Sequence, residues 1–354
     1  MRARESRTKG FFVSPPITIL PLQMKAELAG DIYCFLLLGW HRAAGLGSRC
    51  TMQPQARVGR PCACAMIGRG TSGAGTKEQL HSMERLRNET ELAIRTVSIA
   101  QDIADSRAGA ERIVSKGGID IVTDTDVACE DAIRSELVRA FPAYSVIGEE
   151  RVGTAREGQP YWLVDPICGT RPFASNIPLY CTNVALVEDG EVTVAAIGIG
   201  KTGEVLYAER GRGARMRFAG ADAPIVAGDS SDTVWIDGNT EQAANTLKNI
   251  VLLKRWYVWK FSSSVAYAYM ALGRLAAVLQ FSFGKTAGAP YGSVHSAAGC
   301  FIAREAGAIV TDLDDGSQWK LATRSFLMAS TVELHKDLSR AVSGIGELPP
   351  QSRR

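Results

Sequence analysis

Between residues 119 and 165, each short apolar run stops at acidic residues, and this punctuation restricts what the chain can fold into. Residues 119–122 precede Asp124-Thr125-Asp126, residues 145–148 precede Glu149-Glu150, and residues 161–164 precede Asp165. Apolar runs of four bounded by turn formers have the length of strands and are too short for helices. Two helical patterns flank them. Within residues 84–108, Ala93, Val97, Ala100 and Ala104 recur at spacings of four, three and four, which places them on one helical face. Asp124-Thr125-Asp126 offers N-cap chemistry to a second helix, which packs Cys129, Ile133, Leu137 and Phe141 and ends near Pro142.

Further along, residues 182–187, the turn Glu188-Asp189-Gly190 and residues 191–199 read as a hairpin, because Asp-Gly tolerates the positive φ of a tight turn. Residues 204–209 add a third antiparallel strand. Beyond residue 225 the pattern mixes a strand at 234–236, helices at 243–250 and 263–272, and a strand at 276–280. A Gly-rich stretch, 284–292, leads to a helix at 296–306 that Gly307 closes. Hairpins flanked by helices argue for an α+β or layered sandwich architecture rather than a doubly wound sheet. We divide the chain into an unstructured N-terminal extension (1–82), an α+β half (83–225), an α/β half (226–340) and a tail (341–354).

Composition narrows the function classes. Apolar residues make up 46% and charged residues 22%, which excludes disorder of the whole chain. The longest apolar runs, 32–40 and 265–273, are half the length a bilayer requires. The net charge of +3 conceals a split: 11 Lys/Arg against 4 Asp/Glu precede residue 83, and 29 against 33 follow. A mildly acidic body gives no electrostatic reason to propose nucleic acid or a membrane as partner. The eight cysteines show no repeating spacing, which points to a reducing, cytoplasmic setting. Cys62-Ala63-Cys64 lacks the spacer of a zinc knuckle. A secretory signal over the basic N-terminus is the competing reading, opposed by Glu27 and Asp31 beside the apolar stretch. Periodicity begins at Met83, so the preceding residues are equally a dispensable extension or a start placed too early.

Asp126, Glu149 and Asp165 bring hard oxygen donors to strand ends within forty residues. Crowded carboxylates repel unless a cation lies among them, and oxygen ligands suit Mg2+. Taken singly, each acid would as readily cap a helix in water. Gly169-Thr170, just ahead of a helix, would present backbone N–H groups to an anion, with Arg171 as a forked donor and Pro172 needing no N–H in the first turn. A plain strand-to-helix corner with a solvated arginine is the bland alternative.

These motifs, with Gly148-Glu149-Glu150, Trp162-Leu163-Val164-Asp165-Pro166-Ile167-Cys168-Gly169-Thr170, Ser296-Ala297-Ala298-Gly299 and Glu305-Ala306-Gly307, resemble the signatures of the inositol monophosphatase family. The resemblance implies a layered αβαβα sandwich, often dimeric, that hydrolyses phosphomonoesters with Mg2+ and an activated water. It implies that Glu149, Asp165 and the Ile167 carbonyl hold the first metal, that Thr170 orients the water, and that Asp126 is the threonine's acidic partner. It also implies a second metal site, and here the sequence departs from the pattern. Cys168 and His295 stand where the family has aspartates. Thiolate, imidazole and the Asp165 carboxylate would suit Zn2+ or Fe2+ better than Mg2+, and His295 at a helix N-terminus is expected to be held toward neutral imidazole. Cys168 as a buried small residue and His295 as a hydrogen-bonding one remain open alternatives. A Cys168 nucleophile with His295 as base is weaker, since Pro172 removes a backbone donor from the loop that would hold phosphate.

Phe261-Ser262-Ser263-Ser264 and Gln280 occupy the places where the family holds substrate hydroxyls, and the acidic grip is absent. Residues 284–292 form an insertion before His295. The expectation is a phosphatase acting on a small phosphorylated metabolite (an inositol phosphate, sugar phosphate or nucleotide 3'-phosphate), working as a homodimer. A non-catalytic member that binds a phosphorylated ligand or a soft metal is the alternative.

Overall fold

The computed structural model describes residues 86–344, apart from 110–111, 118–119, 229–230, 239, 254, 262 and 282–292. The extension 1–82, the insertion 284–292, Cys34, Cys50, Cys62, Cys64 and residues 345–354 lie outside the described residues. The elements run in the order α1 (Asn88–Arg107), β1 (Ile113–Gly117), β2 (Asp120–Thr123), α2 (Asp124–Ala140), β3 (Ser145–Gly148), β4 (Tyr161–Cys168) and α3 (Thr170–Ala174). Five hairpin-linked strands follow: β5 (Cys181–Glu188), β6 (Glu191–Ile199), β7 (Val205–Glu209), β8 (Ala214–Phe218) and β9 (Ala221–Ile225). The remainder is β10 (Thr233–Asp237), α4 (Glu241–Leu253), β11 (Tyr257–Lys260), α5 (Val265–Ala271), β12 (Ala277–Gln280), α6 (Ala297–Glu305), β13 (Ile309–Asp312), β14 (Phe326–Ala329) and α7 (Val332–Ser343).

Strand alternation generates the layers. In β5, Val184 and Leu186 face a core with α1 and α2, whereas Ala185 and Val187 face a second core with α5 and α6. Strands β3 to β9 form one sheet in sequence order, antiparallel except for the parallel β3–β4 pair. The second sheet, ordered β11-β10-β12-β14-β13, repeats the pattern: Trp235, Val278 and Met328 enter the central core, and Val234, Leu279 and Leu327 enter a third core with α4 and α7. The result is helices, sheet, helices, sheet, helices, which is the expected αβαβα sandwich of the α+β class. Each fully buried Leu, Ile or Val contributes ~1.5–3 kcal/mol against exposure, so two-sided burial is what drives these runs together.

The hairpin at Asp189-Gly190 has φ of 52° and 77°, the paired positive values of a tight two-residue turn. Strand β1, which pairs antiparallel with β2, was not legible in the periodicity, nor were β8, β9, β11, β13 and β14. These are four- or five-residue strands, several of them exposed, with too few residues to display a period. No helix among the described residues is long and apolar enough to cross a membrane.

Candidate metal and phosphate site

The site gathers at the ends of β3 and β4 and the starts of α2, α3 and α6. Thr123, rather than the Asp124-Thr125-Asp126 run, caps α2: its hydroxyl accepts from the Asp126 N–H at 3.3 Å, and Asp126 Oδ2 accepts from the Thr123 N–H at 2.9 Å. Asp126 is therefore fixed by local chemistry before it meets anything else. Its other oxygen, Oδ1, accepts from the Thr170 hydroxyl at 3.1 Å. Burial pushes its pKa up to about 6; hydrogen bonds from Thr123 oppose that, and the charges of Glu150 and Glu149 reinforce it.

This shift makes stability pH-dependent with a definite sign. The folded chain holds the Asp126 proton more tightly than the unfolded one, so in metal-free protein this group's contribution to stability is present near pH 4 and lost as pH rises to 6. Asp126→Asn should remove a fall on the order of 1–3 kcal/mol across that window. Urea unfolding of chelator-treated protein between pH 4 and 7 checks this; parallel pH profiles for the two proteins would contradict it.

Glu149 follows β3 directly and its N–H bonds the Val164 carbonyl at 3.1 Å, which sets it beside Asp165 on the neighbouring parallel strand. The loop carrying it is held from below by Glu130, which the sequence pattern alone does not single out. Glu130 is fully buried and accepts from the backbone N–H groups of Glu150 (2.7 Å) and Arg151 (2.9 Å) and from Arg134 (3.0 Å). Arg134 in turn donates to the carbonyls of Val146 (2.9 Å) and Arg151 (2.7 Å). A signal was present: Glu130 lies four residues after Asp126 and four before Arg134, on the edge of the helix's apolar face. Gly148 is required here, since a Cβ would stand 1.9 Å from Glu130 Oε1.

Strand β4 does not end at Asp165 as the sequence suggested; it continues to Cys168 through an irregularity in its pairing with β5. In a regular strand, residues three apart point to opposite faces. The bulge, with Pro166 supplying no N–H, removes that parity, so Cys168 joins Leu163 on the central-core side while Ile167 enters the α1–α2 core. Asp165 and Cys168 consequently converge on one site. Asp165 is fully buried; Oδ2 lies 2.7 Å from His295 Nδ1, and Oδ1 has no hydrogen-bond partner among the described residues. An orphaned, buried carboxylate oxygen is one a cation would satisfy; among the described residues the acid, thiol and imidazole groups that come within 4.8 Å of one another are Asp165, Cys168 and His295, a group that Glu149 and Asp126 do not join.

The remaining predicted residues fall around it. The Ile167 carbonyl accepts from the Thr170 hydroxyl at 3.1 Å. Gly169 adopts φ 100°, and a Cβ there would lie 2.8 Å from the Leu179 carbonyl and from Ser263 Oγ. Gly169→Ala is expected to lose ~1–3 kcal/mol, read as a lowered urea midpoint; an unchanged midpoint would show that the corner relaxes freely. Thr170 opens α3, Pro172 is buried, and Arg171 is exposed on its first turn. Ser263 and Ser264 brace Cys168: Ser263 Oγ donates to its carbonyl at 3.1 Å and the Ser264 N–H donates to its Sγ at 3.3 Å. Gln280 is buried and occupied by the Tyr267 hydroxyl (2.7 Å), so it serves the core.

His295 corrects one expectation. It precedes the N-cap Ser296 of α6, and its pKa is displaced upward rather than held low. Desolvation of the ring pulls it down, but the carboxylates of Glu149 and Asp165 and hydrogen bonds with Asp165 and Cys168 prevail. The Cys168 thiol is pushed well up by its hydrogen bond with Cys181, by burial and by Asp165, against a lowering by His295. That disfavours a free thiolate nucleophile. Cys129, Cys168, Cys181 and Cys300 are all free and buried.

Comparison with known proteins shows the family. Residues 85–347 match the model of the Inositol monophosphatase family. Nus factor SuhB of Xylella fastidiosa is 33% identical over 206 residues, spanning 56% of this chain and 72% of that one. An inositol-1-monophosphatase of Mesorhizobium japonicum is 30% identical over 238 residues, spanning 64% and 84%. In fold, the Thermotoga maritima IMPase superposes with a TM-score of 0.63 at 24% identity, covering 73% of this chain and 98% of its own. The chain belongs to the inositol monophosphatase family and, with it, to the metal-dependent phosphoric monoester hydrolases.

Proposed function

We propose that the chain hydrolyses a small phosphorylated metabolite, an inositol phosphate, sugar phosphate or nucleotide 3'-phosphate, by attack of water on phosphorus with release of the alcohol. The observation that carries this reading is the hydrogen-bonded run Asp126–Thr170–Ile167 carbonyl beside the orphaned Asp165 Oδ1. Glu149, Asp165 and the Ile167 carbonyl would hold a divalent cation, Mg2+ by their hardness. Such an ion supplies charge neutralisation at phosphate and acidity to nearby water. The chain's own groups do the positioning. Thr170 carries one proton between two acceptors, Asp126 and the Ile167 carbonyl. Donating it to Asp126 leaves the hydroxyl's lone pairs to accept from the attacking water, and Glu149 takes up the water's proton. The backbone N–H groups of Gly169 and Thr170, with Arg171, would face the phosphate oxygens as charge develops.

The four buried free thiols support a reducing, cytoplasmic setting, and homodimerisation follows the family resemblance. Release of inorganic phosphate from a panel of these esters, with Mg2+, Mn2+ or Zn2+ present, tests the proposal; no turnover with any cation contradicts it. One observation favours a second reading. His295 already engages Asp165 Oδ2, so the site could hold a phosphorylated ligand without cleaving it. Calorimetry separates the two: binding without hydrolysis supports this second reading.

A further inference from the structure

We propose that Asp165, Cys168 and His295 form a binding site for one thiophilic divalent cation, zinc above all, in the pocket that the hydrolytic reading assigns to hard ions. The inference rests on that reading for the site's purpose but not for its existence. One donor atom from each of the three residues lies within 4.8 Å of the others. Around zinc, with bonds of about 2.0–2.3 Å, tetrahedral donors stand roughly 3.3–3.8 Å apart. The His295–Asp165 pair at 2.7 Å would open by at least about half an ångström, and the widest pair would close by about one and a half at most.

Proximity of three such groups is not enough by itself, and a second observation points to a ligand. Asp165 is fully buried, and among the described residues its Oδ1 has no hydrogen-bond partner, although His295 stands beside its other oxygen. An ion pair with histidine therefore leaves half of the carboxylate unsatisfied, which burial makes costly. The support around the sulfur is also that of a ligand. The Ser264 N–H donates to Sγ and Ser263 Oγ holds the Cys168 carbonyl, which together fix where the sulfur points; a bound cation would supply the positive charge that the metal-free thiol lacks. Cys181, opposite Cys168 across the β4–β5 pair, shares a hydrogen bond with it and also reaches Ser264 Oγ (3.3 Å) and Asn183 (3.6 Å).

Donor chemistry chooses the ion. Magnesium takes oxygen ligands in near-octahedral order, whereas a sulfur, a ring nitrogen and one carboxylate oxygen match three-protein-ligand zinc sites with an open fourth position. The His295 side chain is half-exposed, which leaves that fourth position approachable. Binding displaces the thiol proton and any imidazolium proton to solvent, so no oxidant or reductant is involved.

The test uses the full chain, stripped with chelator, dialysed against zinc with excess magnesium and passed through gel filtration before elemental analysis. We expect one zinc per chain, retained in Cys129→Ser and weakened ~100-fold or more in Cys168→Ser and His295→Asn, as befits a direct ligand. Loading with cobalt should give a thiolate-to-cobalt charge-transfer band in the wild-type chain, a readout that stands even if a variant fails to fold. Cys168→Asp/His295→Asp should lose zinc preference and bind magnesium in its place. Equal zinc in wild type and Cys168→Ser, or cobalt bound without the sulfur band, overturns the inference. Zinc retention without phosphate release from any ester upholds it and defeats the hydrolytic reading; magnesium-supported release with no zinc retained does the reverse.

Discussion

Asp165→Asn is expected to lower phosphate release by about a thousandfold or more while leaving the metal-free chain folded. The asparagine keeps the volume and one acceptor for His295 but removes the charge that a cation would pair with. Three decades of rate correspond to ~4 kcal/mol of barrier, in the range a metal's Lewis acidity supplies. The stability consequence is separate. Asp165 is fully buried and pairs with His295 through Oδ2, so the asparagine keeps an acceptor but removes the charge opposite the imidazole, which costs stability in metal-free protein. Without metal, the variant should melt at the same temperature as wild type or lower, and added cation should raise wild type alone. Steady-state phosphate release paired with thermal melts with and without cation checks both halves. A variant with near wild-type turnover would mean that Asp165 is structural.

The second large effect is predicted away from the ligands. Glu130→Ala should destabilise the chain by ~3–5 kcal/mol, because it strands two backbone N–H groups and the Arg134 guanidinium that share one buried carboxylate. Activity should fall further than stability accounts for, since the Gly148–Arg151 turn that presents Glu149 rests on this residue. Glu130→Gln, which preserves one acceptor oxygen, should recover part of both. Urea midpoints and kcat compared across the two variants decide it; equal midpoints for Glu130→Ala and wild type would remove Glu130 from the scaffold.

These residues also mark where the sequence was and was not legible. Amphipathic helices α1 and α2 and the β5–β6 hairpin declared themselves, because their buried faces repeat at 3.6 or 2 residues and Asp189-Gly190 marks the turn. The family motifs carried the order of layers. Strand parity failed at Asp165 and Cys168: their spacing predicts opposite faces, and only the bulge after Asp165 puts both into one pocket. Such a bulge depends on pairing with β5, which lies well downstream and leaves no mark in the local pattern. His295 misled for a similar reason. Its helix position argued for neutral imidazole, but the carboxylates of Glu149 and Asp165, distant in sequence, set its charge. Glu130 was overlooked because a buried acid at a helix edge resembles a solvated one until its partners are known.

If separated stretches of chain converge to hold a cation where a phosphate ester is cleaved, cleavage must follow the cation. Phosphate release from the ester panel should therefore be measured on chelator-stripped protein before and after adding back Mg2+, Mn2+ or Zn2+. No release is expected from stripped protein, and recovery with at least one of these ions. Release that persists undiminished after stripping, or that none of them restores, would mean that no such cation takes part.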